Sequence, residues 1–149
     1  MANMFRLIRG EPKSLTLPKY ASDSIEIGDL LFWDATNGAV RPASAVSGAD
    51  YAAKVATFAG AFAGVAMSSH AANTTGDVLV ATEGDFEYDC PTGTAYAPLD
   101  GVQIGNGSAV ANQTVVKTAT ATNMVGKVIA PKASAATKTR IRITTKFVL

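Results

Sequence analysis

In several short stretches of this chain apolar residues recur at every second position. That period puts one set of side chains on each face of an extended strand. The pattern is clearest at Gly64-Val65-Ala66-Met67 and at Val78-Leu79-Val80-Ala81-Thr82-Glu83-Gly84-Asp85-Phe86-Glu87-Tyr88, read as two central strands, with Gly84 as a bulge or bend glycine and Pro91-Thr92-Gly93 as the closing turn. Glu83, Asp85, Glu87 and Asp89 fall on one face of the second strand; Phe86, Tyr88 and Cys90 fall on the other. Upstream, Ile25 to Trp33 alternates and then runs apolar, Asp34-Ala35-Thr36-Asn37-Gly38 supplies a turn, and Ala39-Val40-Arg41-Pro42 returns, which predicts a β-hairpin.

Between residues 43 and 61 the period changes. Tyr51, Val55, Phe58 and Phe62 are spaced for one helical face, with Asp50 or Ser47 as N-cap and an end near Gly60. These aromatics either cover one end of a barrel or, through Tyr51 and Phe58, line a ligand pocket. Strand patterns resume at Val102-Gln103-Ile104, Thr114 to Lys117 and Met124 to Ala130, separated by the turn signals Leu99-Asp100-Gly101 and Gly105-Asn106-Gly107. The last strand, Lys138 to Phe147, places Ile141, Ile143 and Phe147 on one face and Lys138, Arg140, Arg142 and Lys146 on the other. Many short strands with frequent turns predict an all-β fold, a small antiparallel β-barrel or β-clip of β-tulip type with one short helical insertion.

Residues 1–24 are patterned least. Arg6, Arg9, Lys13 and Lys19 alternate with Leu7, Ile8, Leu15 and Leu17, and Pro12 and Pro18 keep the backbone extended. The segment reads as an extended N-terminal arm or a first strand, followed by a barrel-like domain over residues 25–149. Composition narrows the function classes. The 149-residue length suits one domain, and a net charge of +1 with 17% charged residues points away from nucleic-acid binding. Of the 48% hydrophobic residues many are alanine, so the expected core is thin and contacts between subunits could supplement it. No stretch reads as a membrane span, the N-terminal residues show no apolar secretory core, and the single Cys90 forms neither an internal disulfide nor a metal knuckle, which suggests a cytoplasmic product.

Three readings of the charged faces stay open. The acidic face over Glu83 to Asp89 is a solvated strand face that resists edge aggregation, or a partner of the basic face at Lys138 to Lys146, or a set of oxygen ligands for calcium. Catalytic readings rest on little. His70, the only histidine, stands in a polar loop after Ser68 and Ser69, where a Ser-His-Asp site would need Asp77 or another acid. The carboxylates Glu83 and Asp85, or Glu87 and Asp89, have the residue types of a glycosidase pair but no evident sugar-stacking cluster.

The order of the motifs, Ile27 to Asp34, Gly38 to Ala43, Phe62 to Ala66, Val80 to Tyr88 and Val125 to Val128, resembles the small capsid decoration, or cement, proteins of tailed bacteriophages. More narrowly it is similar to a group first filed as a domain of unknown function and later linked to phage heads. The resemblance spans about residues 25 to 145; the N-terminal segment and the insertion around residues 44 to 61 are longer than usual for such proteins. It implies a non-enzymatic virion protein, made in the host cytoplasm without a cofactor. Such a protein sits on the outer surface of an icosahedral head, often as a homotrimer, and staples major capsid protein subunits, with neither nucleic acid nor membrane as partner. Arg6, Leu7, Ile8, Arg9, Leu15 and Leu17 in the arm, with Lys138, Arg140 and Arg142, are the candidate contact residues. The rival readings are a tail or fibre β-domain that adheres to host surface glycan, and a small β-clip enzyme acting on sugars or sugar acids.

Overall fold

The computed structural model describes residues 7–9, 13–106, 110–143 and 145. Among these the fold is all-β, with one α-helix and two short 3-10 turns. The strands are β1 (Leu7–Arg9), β2 (Ser14–Pro18), β3 (Leu30–Asp34), β4 (Ala39–Pro42), β5 (Phe62–Ala66), β6 (Asp77–Ala81), β7 (Asp85–Asp89), β8 (Gly101–Asn106), β9 (Val110–Thr118), β10 (Gly126–Val128) and β11 (Lys138–Ile143), and α1 is Tyr51–Gly60.

The strands form two sheets, each curled towards closure. In the first the order is β1-β7-β11-β10-β8-β9, and β9 returns to β7 through a parallel pair at Asp89 and Thr114. In the second the order is β2-β6-β5-β3-β4, and the Tyr20 amide just beyond β2 donates to the Val40 carbonyl of β4 at 3.3 Å. The expected barrel is therefore doubled into two small rings.

Their junction corrects the reading of Val78 to Tyr88 as one strand. At Thr82-Glu83-Gly84 the chain bends, Gly84 taking a φ of 149°, so that β6 belongs to the second ring and β7 to the first. Gly84 is thus a bend glycine, one of the two roles its position suggested. The described part of the N-terminal segment follows this bent ribbon in antiparallel register. Leu7 pairs with Phe86 and Arg9 with Asp85; Ser14 to Pro18 pair with Ala81 to Asp77, and the Thr82 amide donates to the Lys13 carbonyl at 2.8 Å between them.

Two cores follow from the two rings. The larger joins Phe86, Tyr88, Val102, Ile104, Val115 and Ile141 to Leu30, Phe32, Phe62 and Val65, and α1 caps it with Val55 and Phe58. The smaller holds Ile25, Leu31, Val40, Ala63, Ala66, Val78 and Val80. β3 and β5 serve both, so β5 is buried at every position. Strict alternation would not keep Phe62 and Val65 on one side; a register shift in the β3–β5 pairing, with Gly64 at φ 141°, restores it. A Cβ at Gly64 would stand 2.1 Å from the Ala81 carbonyl oxygen.

The remaining local expectations hold with small shifts of boundary. The hairpin is β3–β4, paired from Leu31–Pro42 to Asp34–Ala39, and before Leu30 the backbone makes an isolated bridge from Ile25 to His70 and a turn at Ile27-Gly28 instead of a continuous strand. Asp50 caps α1, its Oδ1 accepting from the Ala53 amide at 2.9 Å. Phe58 meets Phe32 edge-on at 5.9 Å and Phe62 at 5.5 Å. The aromatics thus cover a core, as the first of the two readings held. Lys146 and Phe147 lie outside the described residues, as does Gly107 of the predicted turn, whose Gly105 and Asn106 end strand β8.

Candidate functional site

The two charged faces predicted on separate strands stand side by side in the first ring. β7 and β11 are antiparallel neighbours with Asp85 opposite Arg142, Glu87 opposite Arg140 and Asp89 opposite Lys138. Arg142 grips Asp85 in a fork, Nε to Oδ1 at 2.7 Å and an Nη to Oδ2 at 3.0 Å. Lys138 Nζ donates to Asp89 Oδ1 at 2.6 Å, and Arg140 stands 3.7 Å from Glu87. The fork pushes the Arg142 guanidinium pKa up, chiefly through its hydrogen bond to Asp85. Glu83, within the bend, faces Lys13 at 3.5 Å. Of the three readings, mutual pairing within the chain is the one the geometry shows. Among the described residues no group of three or more His, Cys, Asp and Glu side chains is arranged to hold a metal ion.

The other candidate contacts divide by place. Arg6 lies outside the described residues, and so do the side chains of Leu7, Ile8 and Arg9, whose backbone forms β1. Leu15 and Leu17 are half-buried on β2, alternating with exposed Ser14, Thr16 and Pro18, and Leu17 packs on the smaller core. Leu7 and Arg9 pair by backbone with β7 of the ladder, whereas Leu15 and Leu17 pair with Val80 and Val78 of β6 in the second sheet.

His70 pairs with Ser68, Oγ to Nε2 at 3.0 Å, and the same Oγ accepts from the Leu79 amide. The backbone of His70 exchanges two hydrogen bonds with Ile25. Serine and histidine are thus in contact, and the hydroxyl also ties the loop to β6.

An open cleft of about 1060 Å³, missed by sequence reasoning, lies at the seam of the rings, lined by Asp23, Glu26, Asp29, Arg41, Asn112 and Gln113 among others. Asp29, 3% exposed, receives the Glu26 amide on Oδ2 at 2.9 Å and Gln113 Nε2 on Oδ1 at 2.9 Å. Burial pushes its pKa up against these two hydrogen bonds, and the charge of Glu26 adds to the rise. Beside it, Tyr88 Oη donates to the Gly28 carbonyl at 2.8 Å, and complete burial, with the charge of Asp29, raises the phenol pKa well above its usual value. Arg41 bridges Asp23 at 2.7 Å and Asp34 at 3.3 Å and lies over the Tyr20 ring at 4.3 Å. The signal that was available was Gly28-Asp29, a turn whose acid had no partner in the sequence pattern; Gln113 lies 84 positions away.

No protein-family model matches the chain, and no curated protein matches it. Among solved structures it is similar to the N-terminal base of head fibre gp8.5 of bacteriophage phi29, with a TM-score of 0.48 and 12% sequence identity over 92% of this chain and 100% of that one.

Proposed function

We propose that this chain is a structural protein of a tailed-phage virion, bound to the outer surface of the icosahedral head, where it stabilises contacts between major capsid protein subunits. One observation carries the reading. The motifs that resemble head decoration proteins occur in the same order, and in this chain they fall on β3, β4, β5, β6–β7 and β10, the strands that wall the two cores. The resemblance therefore concerns the positions that build the fold. Docking uses the N-terminal segment, with Leu15 and Leu17 on β2 along β6, and a homotrimer on the shell is the expected assembly. Because Lys138, Arg140 and Arg142 already face carboxylates of their own chain, they contribute to specificity and register more than to affinity. The role needs no cofactor and no catalytic step.

A second reading has the polar cleft in its favour. Its amides and carboxylates suit hydroxyl groups, as a tail or fibre domain adhering to host surface glycan requires. Sedimentation of the purified protein with undecorated capsids of the parent phage, combined with light scattering of the free protein, separates the two. Co-sedimentation in a fixed ratio to capsid subunits is the expected result. Protein that ignores capsids but binds host polysaccharide overturns the head reading in favour of the second.

A further inference from the structure

Two patches of this chain hold like charges side by side. On the outer face of the first ring, Lys127 of β10 stands directly opposite Arg142 of β11, with Arg140 on the diagonal, and all three are exposed. On the other side of Lys127 the paired residue of β8 is Gly101, which adds no side chain. Arg142 and Arg140 have acids beside them on β7, but the acids lie lower. The Arg142 side chain is 58% exposed over Asp85 at 5%, and that of Arg140 is 53% exposed over Glu87 at 17%. Lys127 has no ion-pair partner among the described residues. Like charges directly opposite on neighbouring strands repel, so this face is cationic towards solvent and carries a repulsion the chain does not relieve.

The cleft at the seam of the rings has the opposite sign. Its lining sets Asp23, Glu26 and Asp29 against Arg41 alone. Arg41 is committed to Asp23 and Asp34, and Asp29 is buried with the Glu26 amide and Gln113 on its two oxygens. Glu26 is different. It is exposed, its carboxylate has no cation beside it among the described residues, and its charge adds to the rise of the Asp29 pKa. A cation placed at Glu26 would relieve that repulsion, as an anion would relieve the one around Lys127.

We infer that the face of Lys127 and Arg142 on one copy of this chain docks at the Glu26 rim of the cleft on a second copy. The charges are complementary, and each patch supplies what the other lacks. The contact is head to tail, joining two different patches, and this is the kind of interface from which a threefold ring is built. The inference thus rests on the homotrimer expected above and names the surfaces that would hold it together. The cationic face meeting its own copy would set bases against bases. A nucleic acid is a poor occupant as well, because Asp85, Glu87 and Asp89 on β7 lie just beyond Arg140 and Arg142 and would repel a polyanion.

The test compares wild type, Lys127→Glu, Glu26→Lys and the double variant by light scattering over a concentration series at low and high salt, with melting temperatures and capsid co-sedimentation in parallel. Each single reversal should weaken self-association about tenfold or more, and added salt should weaken that of wild type. The double variant should recover it, because the two charges have changed places. Lys127→Glu should melt no lower than wild type, since it removes a like-charge neighbour of Arg142. Single variants that associate as wild type does, or a double variant as weak as the singles, overturn the contact. So does a wild type that stays monomeric at every concentration; if it still co-sediments with capsids, the head reading stands and only the contact falls. Self-association that follows the charges in a protein that ignores capsids supports the contact and overturns the head reading. Single variants that keep self-association and lose capsid binding make a capsid carboxylate the partner of Lys127 and overturn the contact between copies.

Discussion

The two cores of this molecule are built from different materials. The first is filled by large side chains, Phe58, Phe62, Phe86 and Tyr88 among them, with a helix laid across it. The second contains valines and alanines, with Ile25 and Leu31 as its largest residues. Since stabilisation scales with the apolar area removed from water, the first core can tolerate a loose edge while the second depends more on its backbone pairing. The thin core suggested by composition is therefore local to one ring.

That contrast is sharpest at Gly64, where the bulge on β5 sends side chains to both cores. Gly64→Val places a branched side chain against the Ala81 carbonyl at a positive φ, so both rings should lose register together, at a cost of roughly 4 kcal/mol or more. Urea unfolding, or failure to accumulate soluble protein, reads this directly. Truncation within each core comes next. Phe58→Ala should cost about 3–5 kcal/mol, and Val80→Ala should cost less, roughly 2 kcal/mol. Equal losses in urea melts would show that the small ring is as tightly packed as the large one. The smallest effect belongs to the seam. Asp29 has a pKa raised by folding, so the native state holds its proton more tightly than the unfolded chain. The carboxyl group therefore favours the fold at pH below its unfolded value of about 3.8, and that contribution is lost as pH rises through the higher folded value. Melting temperatures of wild type and Asp29→Asn should accordingly shift in favour of wild type on acidification from neutral pH; a difference independent of pH would show that the seam does not hold Asp29 in its neutral form.

Local chemistry made much of this architecture readable. Asn37-Gly38 marked the hairpin, the spacing of Tyr51, Val55 and Phe58 marked the helix, and Asp50 marked its start, because each signal acts over a few residues. The alternating acids and bases were also legible, but whether they would meet was not. Their pairing depends on β7 and β11 becoming neighbours across some fifty residues of sequence, as the Lys138 to Asp89 bond shows. For the same reason the division of Val78 to Tyr88 between two rings was hidden: an alternating run looks alike whether it stays in one sheet or changes sheets at a glycine. The positive φ of Leu99 was invisible because Leu99-Asp100-Gly101 reads as an ordinary turn, and only the backbone reveals which of the three residues carries it.

The N-terminal ribbon beside β6 and β7 has a consequence for synthesis. Residues 14–18 find their partner only when residues 77–81 have been made. β2 must therefore wait while β3, β4 and β5 can already pair with one another. Its late docking closes the second ring, because the Tyr20 amide just beyond it then reaches the Val40 carbonyl of β4.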